Sequence, residues 1–306
     1  MKQKAPRNKT LILAQEQERA YAKKAKVLNK AISLNELKNQ IILQDAFEAM
    51  KFVPAEIADL VIVDPPYNLT KTYADRIFKK RDFEEYCNWL DSWLKEVCRI
   101  LRPNASIYIC SDWQTSIAIP FVAQKYFVLR NRISWEREKG RASSKNWKNC
   151  LEDIWFFTKS DKYIFNLDAV KMQRQVIAPY RQKTGEPKDW REESGQKIRL
   201  TAPSNFWTDI TIPFWSMAEN TEHPTQKPEK LVAKLILASS NEGDLVFDPF
   251  VGSGTTAVVA KKLGRCFLGI EREQKYAALA LKRLELAEKD KRIQGYENGV
   301  FKYRNS

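Results

Sequence analysis

Four consecutive aliphatic residues at 60–63 run directly into the segment Asp64-Pro65-Pro66-Tyr67-Asn68. Four such side chains in a row are typical of a buried central strand. The two prolines have a fixed φ and no N–H group, so neither can continue a sheet ladder. The strand must therefore end at Asp64 and lead into a stiff turn. Turns at the carboxyl edge of an open parallel sheet form ligand sites, which would bring this carboxylate and the Tyr67 ring together. A strand that merely ends in a proline turn is the alternative.

The bulk composition indicates a folded globular protein, with 306 residues, 43% of them hydrophobic, and nine tryptophans. The sequence has no run of 18 apolar residues, so we expect no membrane span, and the apolar stretch at 10–14 is too short for a secretion signal. Five scattered cysteines without metal-ligand spacing indicate reduced thiols in the cytoplasm. The single histidine, His223, disfavours histidine-based metal sites and serine–histidine triads. We therefore expect no metal cofactor.

The net charge of +14, from 52 basic and 38 acidic residues, is the strongest bulk signal. An excess of this size suggests a polyanionic partner, usually nucleic acid, although a merely solvated basic surface is the alternative. Residues 1–40 are expected to form a loose basic arm followed by a helix from Ala14 to about Leu37.

Short apolar runs alternate with stretches of helical periodicity at 41–138 and again from 229 to 289. This alternation predicts an α/β fold with a largely parallel sheet. This alternation of strand and helix patterns is absent at 139–215, where only 153–157 has a clear strand pattern. This segment carries 14 Lys/Arg against nine Asp/Glu, interleaved with aromatic residues such as Trp147. Because basic and aromatic side chains contact phosphates and stack on bases, we predict a recognition region here. An irregular insertion is the alternative.

A second candidate ligand site is the glycine-rich turn at 248–255, between a predicted strand and a predicted helix. Glycine permits positive φ and close approach of a ligand to the backbone, and the helix N-terminus offers free N–H donors. Glu271, at the tip of the following strand, could accept both hydroxyls of a ribose. An acid and a ring, Asp248 and Phe250, stand beside the glycines. Such a set suits S-adenosylmethionine, and a nicotinamide dinucleotide less well.

Three segments together resemble the amino-methyltransferases of DNA: 64–67, 223–228 and 248–256. The catalytic motif precedes the cofactor motif, which is the permuted order of the family's β group, and the resemblance covers about 41–135 and 221–285. It implies a Rossmann-like methyltransferase fold dependent on S-adenosylmethionine, with a mostly parallel sheet, helices on both faces, a circularly permuted motif order and an irregular target-recognition region. The implied division is a basic arm and helix at 1–40, a catalytic half at 41–138, the target-recognition region at 139–215, a cofactor-binding half at 216–290 and a tail at 291–306.

The resemblance also assigns residues to the cofactor, S-adenosylmethionine. The implied roles are Phe250, Gly252 and Gly254 lining its methionine side with Thr255 in the same turn, Asp248 near its ammonium group, Thr225 and Lys227 on its carboxylate, Glu271 on the ribose hydroxyls, and Asp45 at the adenine edge. The role of Asp45 as a simple helix cap remains the alternative.

The same resemblance makes Asp64, Pro65, Pro66 and Tyr67 the catalytic residues. The Asp64 carboxylate and the Pro65 carbonyl would accept hydrogen bonds from the amino group of a flipped base, on which Tyr67 would stack. The methyl group would then pass directly to nitrogen, in line. Aspartate rather than serine at 64 favours adenine N6 over cytosine N4. Asn68 and the polar loop 69–81, a candidate lid, are expected auxiliary contacts.

Other functional classes explain less of the sequence. A nicotinamide-dependent oxidoreductase leaves 64–67 and the net charge without a role. A methyltransferase acting on RNA or on protein glutamine is a closer alternative, but the basic middle region favours double-stranded DNA as partner. An inactive DNA-binding module is the non-enzyme alternative. A homodimer and a cognate restriction endonuclease are further partners that the resemblance allows, and no membrane partner is expected.

Overall fold

The computed structural model describes residues 5–73, 76–137, 144–176, 180–193 and 195–302. The helices are, in chain order, α1 (Gln15–Ala22), α2 (Leu34–Leu37), α3 (Ala46–Met50), α4 (Phe83–Ile100), the 3-10 helix η1 (Thr115–Ile117), α5 (Ala118–Ala123), the 3-10 helix η2 (Leu167–Val170), α6 (Glu229–Ser239), α7 (Thr255–Lys262) and α8 (Gln274–Lys289). No helix in these ranges is long and apolar enough to cross a membrane.

The strands of the described residues fall into one large sheet, one small sheet and a hairpin. In chain order they are β1 (Gln40–Leu43), β2 (Ala58–Val63), β3 (Lys71–Tyr73), β4 (Arg76–Phe78), β5 (Leu101–Asp112), β6 (Val128–Glu136), β7 (Leu151–Thr158), β8 (Met172–Gln175), β9 (Arg191–Glu193), β10 (Gln196–Thr201), β11 (Phe206–Trp207), β12 (Leu245–Asp248), β13 (Cys266–Glu271), β14 (Tyr296–Glu297) and β15 (Val300–Phe301).

The large sheet has the strand order β1-β13-β12-β2-β5-β7-β6-β11. Every neighbouring pair is parallel except the two that involve β7, which runs antiparallel to both β5 and β6. The sheet is therefore mostly parallel, and the predicted α/β fold is confirmed. Because β7 runs in the opposite direction, its first residues lie at the edge where the parallel strands end.

The central strand β2 has its six residues buried between two hydrophobic clusters, one on each face of the sheet. Leu60 and Ile62 pack against α6, α7 and α8, whereas Val61 and Val63 pack against α3, α4 and α5. The predicted helices on both faces are confirmed. Each buried aliphatic side chain contributes about 1.5–3 kcal/mol relative to exposure, and a slip of one residue would exchange the faces. This packing fixes the register of β2 and hence the position of Asp64.

The predicted single helix from Ala14 to Leu37 is wrong. The segment folds as α1 and α2, separated by a non-helical stretch at 23–33. There the Lys26 N–H donates to the Ile41 carbonyl at 3.0 Å, and the Leu43 N–H donates to the Lys26 carbonyl at 2.8 Å. The segment is not helical here because its backbone groups form hydrogen bonds with the edge strand β1. Without these bonds, the N–H and C=O groups at the edge of the sheet would be unpaired.

The middle of the sequence contributes to both sheets. From the predicted recognition region 139–215, strand β7 lies inside the large sheet, while β8, β9 and β10 belong to the small sheet of order β14-β15-β8-β10-β9. Strands β14 and β15 come from the C-terminal tail. The candidate lid at 69–81 contains the hairpin β3–β4, whose turn residues 74 and 75 lie outside the described residues.

Candidate active site

Four neighbouring strands of the large sheet each lead into an acidic residue at the same edge. Asp45 follows β1, Glu271 ends β13, Asp248 ends β12 and Asp64 follows β2. A cavity of about 250 Å³ lies at this edge and is lined by all four. Parallel pairing therefore brings together carboxylates that are more than 200 residues apart in the sequence, as expected for the carboxyl edge of an open sheet.

The predicted site residues meet in this cavity with one exception. The lining includes Asp45, Asp64, Pro65, Pro66, Tyr67, Thr225, Lys227, Asp248, Phe250, Gly252, Thr255 and Glu271. Gly254 is not among the described residues that line it. Its φ is +85°, and a Cβ atom there would lie 2.6 Å from the Ala280 Cβ. The structure thus places Gly254 at the contact between α7 and α8, where it permits close packing.

Lys227 lies at the catalytic end of the cavity rather than at a distance from it. Its Nζ is 2.6 Å from Asp64 Oδ2, 3.1 Å from the Tyr67 hydroxyl and 3.3 Å from Glu152 Oε2. Burial disfavours the charge on Lys227, but Asp64 and Glu152 more than offset this effect, so the pKa of the ammonium group is raised. Sequence reasoning placed Lys227 on the cofactor carboxylate; in the structure it contacts the catalytic motif.

Asp64 has one carboxylate oxygen in use and one open. Oδ2 pairs with Lys227, whereas Oδ1 is buried and accepts no hydrogen bond from any described residue. A buried polar atom without a partner is uncommon in folded proteins and usually has a functional reason. Asp64 thus lines the cavity and keeps one carboxylate oxygen without a partner among the described residues.

The turn after β2 is held from several sides. The Tyr67 hydroxyl lies 3.3 Å from Glu152 Oε2, and burial, with the neighbouring Asp64 charge, raises the Tyr67 pKa well above its usual value. The Pro66 carbonyl accepts a hydrogen bond from Tyr86 at 3.0 Å. Asn68 closes the hairpin loop, because its side chain donates to the Arg81 carbonyl and accepts from the Arg81 N–H. Tyr67 is thus fixed before any ligand arrives.

The other end of the cavity carries two buried carboxyl groups with raised pKa values. Asp248 accepts hydrogen bonds from the Thr256 hydroxyl at 2.6 Å and the Phe250 N–H at 3.0 Å. Glu271 accepts from the Gly252 N–H at 2.9 Å and the Glu273 N–H at 2.8 Å. Burial raises the pKa of each to about 7.

Asp45 caps a helix and also lines the cavity. Its side chain accepts a hydrogen bond from the Phe47 N–H at 3.0 Å, so it caps α3, and it also lines the cavity. The capping role is a structural fact, because it satisfies a free donor of the helix N-terminus. Contact of Asp45 with an adenine edge stays a prediction.

Sequence reasoning missed three residues that lie at or beside the cavity: Glu152, Trp89 and Arg283. Trp89 lines the cavity with its ring 6.1 Å from that of Phe250. Arg283 is buried and donates to the Ser253 carbonyl at 3.0 Å, which braces the glycine-rich turn from α8. The sequence around Trp89 and Arg283 shows only helical periodicity, which does not indicate that they lie near the cavity. Glu152 offered a signal, an acid directly before the strand predicted at 153–157.

The donor set fits S-adenosylmethionine. Its ammonium and ribose groups need acceptors, which Asp248 and Glu271 can supply, and its carboxylate needs a donor, for which the Thr225 hydroxyl lines the cavity. Its methionine side needs an apolar surface, which Phe250 can offer. The described residues contain no cluster of side chains suited to a metal ion.

Comparison with known proteins supports this assignment. A family model for DNA methylases, of the N6/N4 methyltransferase type, matches residues 58–282. The DNA adenine methyltransferase YhdJ of Escherichia coli (strain K12) is 36% identical over 260 residues, which cover 83% of this chain and 84% of that protein. The Type II methyltransferase M.HpaI of Haemophilus parainfluenzae is 33% identical over 255 residues, covering 80% of this chain and 74% of that protein.

Solved structures show the same fold. The PvuII DNA methyltransferase, described as cytosine-N4-specific, has a TM-score of 0.58 at 20% identity and covers 82% of this chain and 90% of its own. A modification methylase of Thermus thermophilus, in complex with S-adenosylmethionine, has a TM-score of 0.54 at 25% identity, with coverage of 81% and 95%. The predicted resemblance and cofactor are confirmed. The chain belongs to the N6/N4 family of DNA methylases, and S-adenosylmethionine is its methyl donor.

Proposed function

We propose that the protein transfers a methyl group from S-adenosylmethionine to the exocyclic N6 of adenine within a specific sequence of double-stranded DNA. The observation that carries the proposal is the unpaired Oδ1 of Asp64, a residue that lines the same cavity as the carboxyl groups of Asp248 and Glu271. The sequence identity to an adenine methyltransferase supports the choice of base.

The chemistry needs little beyond positioning. The amino group of a base is a poor nucleophile, because its lone pair is delocalised into the ring. Asp64 Oδ1 and the Pro65 carbonyl would accept its two N–H groups and favour a pyramidal, more nucleophilic nitrogen. Tyr67 would stack on the base, which leaves the duplex at a cost of a few kcal/mol. Orientation of nitrogen and methyl group could then lower the barrier by at most about 7–11 kcal/mol.

The identity of the product tests the proposal. We expect N6-methyladenine when the protein is incubated with duplex DNA and S-adenosylmethionine carrying a labelled methyl group, and chromatography of the digested nucleosides measures it. Parallel reactions with RNA and with protein serve as controls. N4-methylcytosine as the labelled product, or label in RNA or protein alone, would contradict the proposal. Methylation-aware sequencing of DNA from an expressing host would then give the recognition sequence.

Cofactor affinity should depend on pH through Asp248 and Glu271. Both carboxyl groups have pKa values near 7, against ordinary values of 3.8 and 4.5, so they are largely neutral at pH 6 and charged at pH 8. An ammonium group and ribose hydroxyls bind the charged forms better. Affinity should therefore rise with pH below 7, by up to about tenfold per pH unit for each group, and level off above about 8.

Calorimetry across pH 6 to 8.5 would measure this dependence, with Glu271→Gln as the comparison. That variant should bind more weakly at pH 8 and show a shallower slope, because one of the two titrating groups is gone. An affinity that is constant, or that falls as pH rises, would contradict the assignment of the two carboxylates to the cofactor.

The recognition role of 139–215 rests on charge and exposure. Trp147 is 94% exposed, and Lys145 and Lys148 flank it in the connection between β6 and β7, at the sheet edge that carries Asp64. Exposed aromatic rings among basic residues suit stacking on bases and contact with phosphates. This region contains β8, β9 and β10 of the small sheet. The catalytic half, cofactor-binding half, basic arm and tail keep their proposed boundaries.

Cytoplasmic location, a cognate restriction endonuclease and a homodimer complete the proposal. Two features support the endonuclease and the dimer. Relatives carry the name Type II methyltransferase, and Phe83, Ile117 and Phe121 form an exposed apolar group, with the two phenylalanine rings 5.8 Å apart. Exposed apolar patches of this kind mark interaction surfaces. Light scattering would check the dimer, and the genes beside the coding sequence would check the endonuclease.

A further inference from the structure

We infer that Glu152 is a positioning residue for methyl transfer, which holds the Tyr67 ring in its stacking position and supplies a second negative charge beside Lys227 and Asp64. This inference rests on the proposed roles of Asp64 and Tyr67, and it adds a residue from the middle of the sequence to the catalytic centre.

The topology of the sheet puts Glu152 at the site. Strand β7 is antiparallel, so its second residue lies where the neighbouring strands end, paired with Asp112 of β5 and Trp135 of β6. The side chain points toward the turn after β2, because its Oε2 is 3.3 Å from both the Tyr67 hydroxyl and Lys227 Nζ. The residue is 5% exposed. An acid so deeply buried requires partners with charges or donors, and the site provides them.

Glu152 balances the charges of the catalytic centre. Its Oε1 lies 2.7 Å from Arg137 NH1, so Glu152 and Asp64 are two negative charges beside the bases Lys227 and Arg137. Lys71 adds a further positive charge close to these groups. If Glu152 lost its charge, Asp64 would be the one remaining acid beside Lys227 among the described residues. The centre would then carry a larger net positive charge, which draws electron density from the Asp64 carboxylate. Asp64 would become a weaker acceptor for an incoming amino group.

Glu152 also fixes the plane of the Tyr67 ring. The Tyr67 hydroxyl donates to Glu152 and accepts from Lys227 at 3.1 Å, so both of its hydrogen-bonding directions are occupied. A ring held at its base by the turn and at its tip by these partners has little freedom. Since the ring sets the position of a stacked base, a displacement of about 1 Å could lower the rate by roughly 10²-fold.

The test is the variant Glu152→Gln, which keeps the size of the side chain and removes its charge. We expect kcat to fall by about 10- to 100-fold, as misplacement by a fraction of an ångström to an ångström predicts. Cofactor affinity, measured by calorimetry, should change little, because Glu152 does not contact the cofactor end of the cavity. A purely structural role would instead lower the melting temperature and leave kcat per folded molecule unchanged.

Asp153→Asn provides the matched control. Asp153 is the next residue of β7, is similarly buried, and pairs with Ser116 at 2.7 Å on the opposite face. The Asp153→Asn variant measures how much stability the fold loses when a buried carboxylate of β7 is removed. Its kcat per folded molecule should stay near that of the wild type. An Asp153→Asn variant that loses kcat as much as Glu152→Gln would overturn the inference.

A double-variant cycle with Tyr67→Phe tests the route of the effect. If Glu152 acts partly through the Tyr67 hydroxyl, the loss caused by Glu152→Gln should be smaller in the Tyr67→Phe background than in the wild type. The inferred role of Glu152 would be overturned if Glu152→Gln lowered kcat equally in both backgrounds. It would also be overturned if Glu152→Gln had the kcat of the wild type. A wild-type enzyme that methylated cytosine would refute the proposed substrate, but the same cycle run on that product would still decide the role of Glu152.

Discussion

Asp64→Ala is expected to abolish methyl transfer while cofactor binding survives. Removal of the carboxylate takes away the open Oδ1, so the target amino group loses its charged acceptor. Loss of one preorganised hydrogen-bonding group of this kind lowers rates by roughly 10²–10³-fold, and the loss of alignment adds to it. Lys227 keeps Glu152 as a partner at 3.3 Å, so the variant is not left with an isolated buried charge.

Incorporation of labelled methyl groups into duplex DNA measures the effect, and calorimetry with S-adenosylmethionine measures binding. Asp59→Asn is the matched control. Asp59 lies on the same strand, is buried, and accepts a hydrogen bond from the Leu245 N–H at 2.8 Å on the far side from the cavity. The Asp59→Asn variant should lower the free energy of unfolding and leave the rate of methyl transfer per folded molecule unchanged. Near-wild-type methylation by Asp64→Ala would show that the catalytic assignment is wrong.

Gly254→Ala is expected to destabilise the fold by about 2–5 kcal/mol, through a strained φ and an overfilled contact. The new Cβ would lie 2.6 Å from the Ala280 Cβ and 2.8 Å from the Ala280 Cα, and a backbone atom cannot move aside as a flexible side chain can. Helix α7 would have to shift away from α8. Because Gly252 and Thr255 sit on either side of Gly254, cofactor affinity should fall together with stability.

Chemical denaturation measures the change in the free energy of unfolding. Gly243→Ala is the control, since Gly243 has a φ of +83° but no atom within 4 Å of the position that a Cβ would take, so it isolates backbone strain. Ala280→Gly in the Gly254→Ala background should restore part of the loss, because it removes the clash with the side chain but not the one with the backbone. A Gly254→Ala variant no less stable than Gly243→Ala would refute the packing role.

Local patterns in the sequence were sufficient for the elements that form the cavity. The aliphatic run of β2, the periodicity of α4 and the glycines before α7 each reflect burial or backbone geometry that a single segment determines. The acids at the strand ends could be proposed as a site because strands of a parallel sheet end at a common edge. For the same reason, twelve of the thirteen predicted site residues line one cavity.

Features that depend on contacts between distant parts of the sequence could not be predicted from such local patterns. Nothing near Glu152 shows that β7 runs antiparallel between β5 and β6, which is what brings this acid to Lys227. The helix predicted across 23–33 fails because Lys26 pairs with β1, a partner that helical composition does not reveal. Gly254 matches the cofactor motif, but its neighbour Ala280 lies on another helix.

The small sheet joins two segments that lie about 100 residues apart in the chain. Strand β15 runs parallel to β8, with Phe301 opposite Met172, and both side chains are buried. Any exchange of this region between relatives, by recombination or by design, would therefore have to carry the C-terminal strands along with 172–201. A chimera that transplanted the internal segment alone would join one protein's β8 to another's β15, and the mismatch at Phe301 would disturb the packing of the whole small sheet.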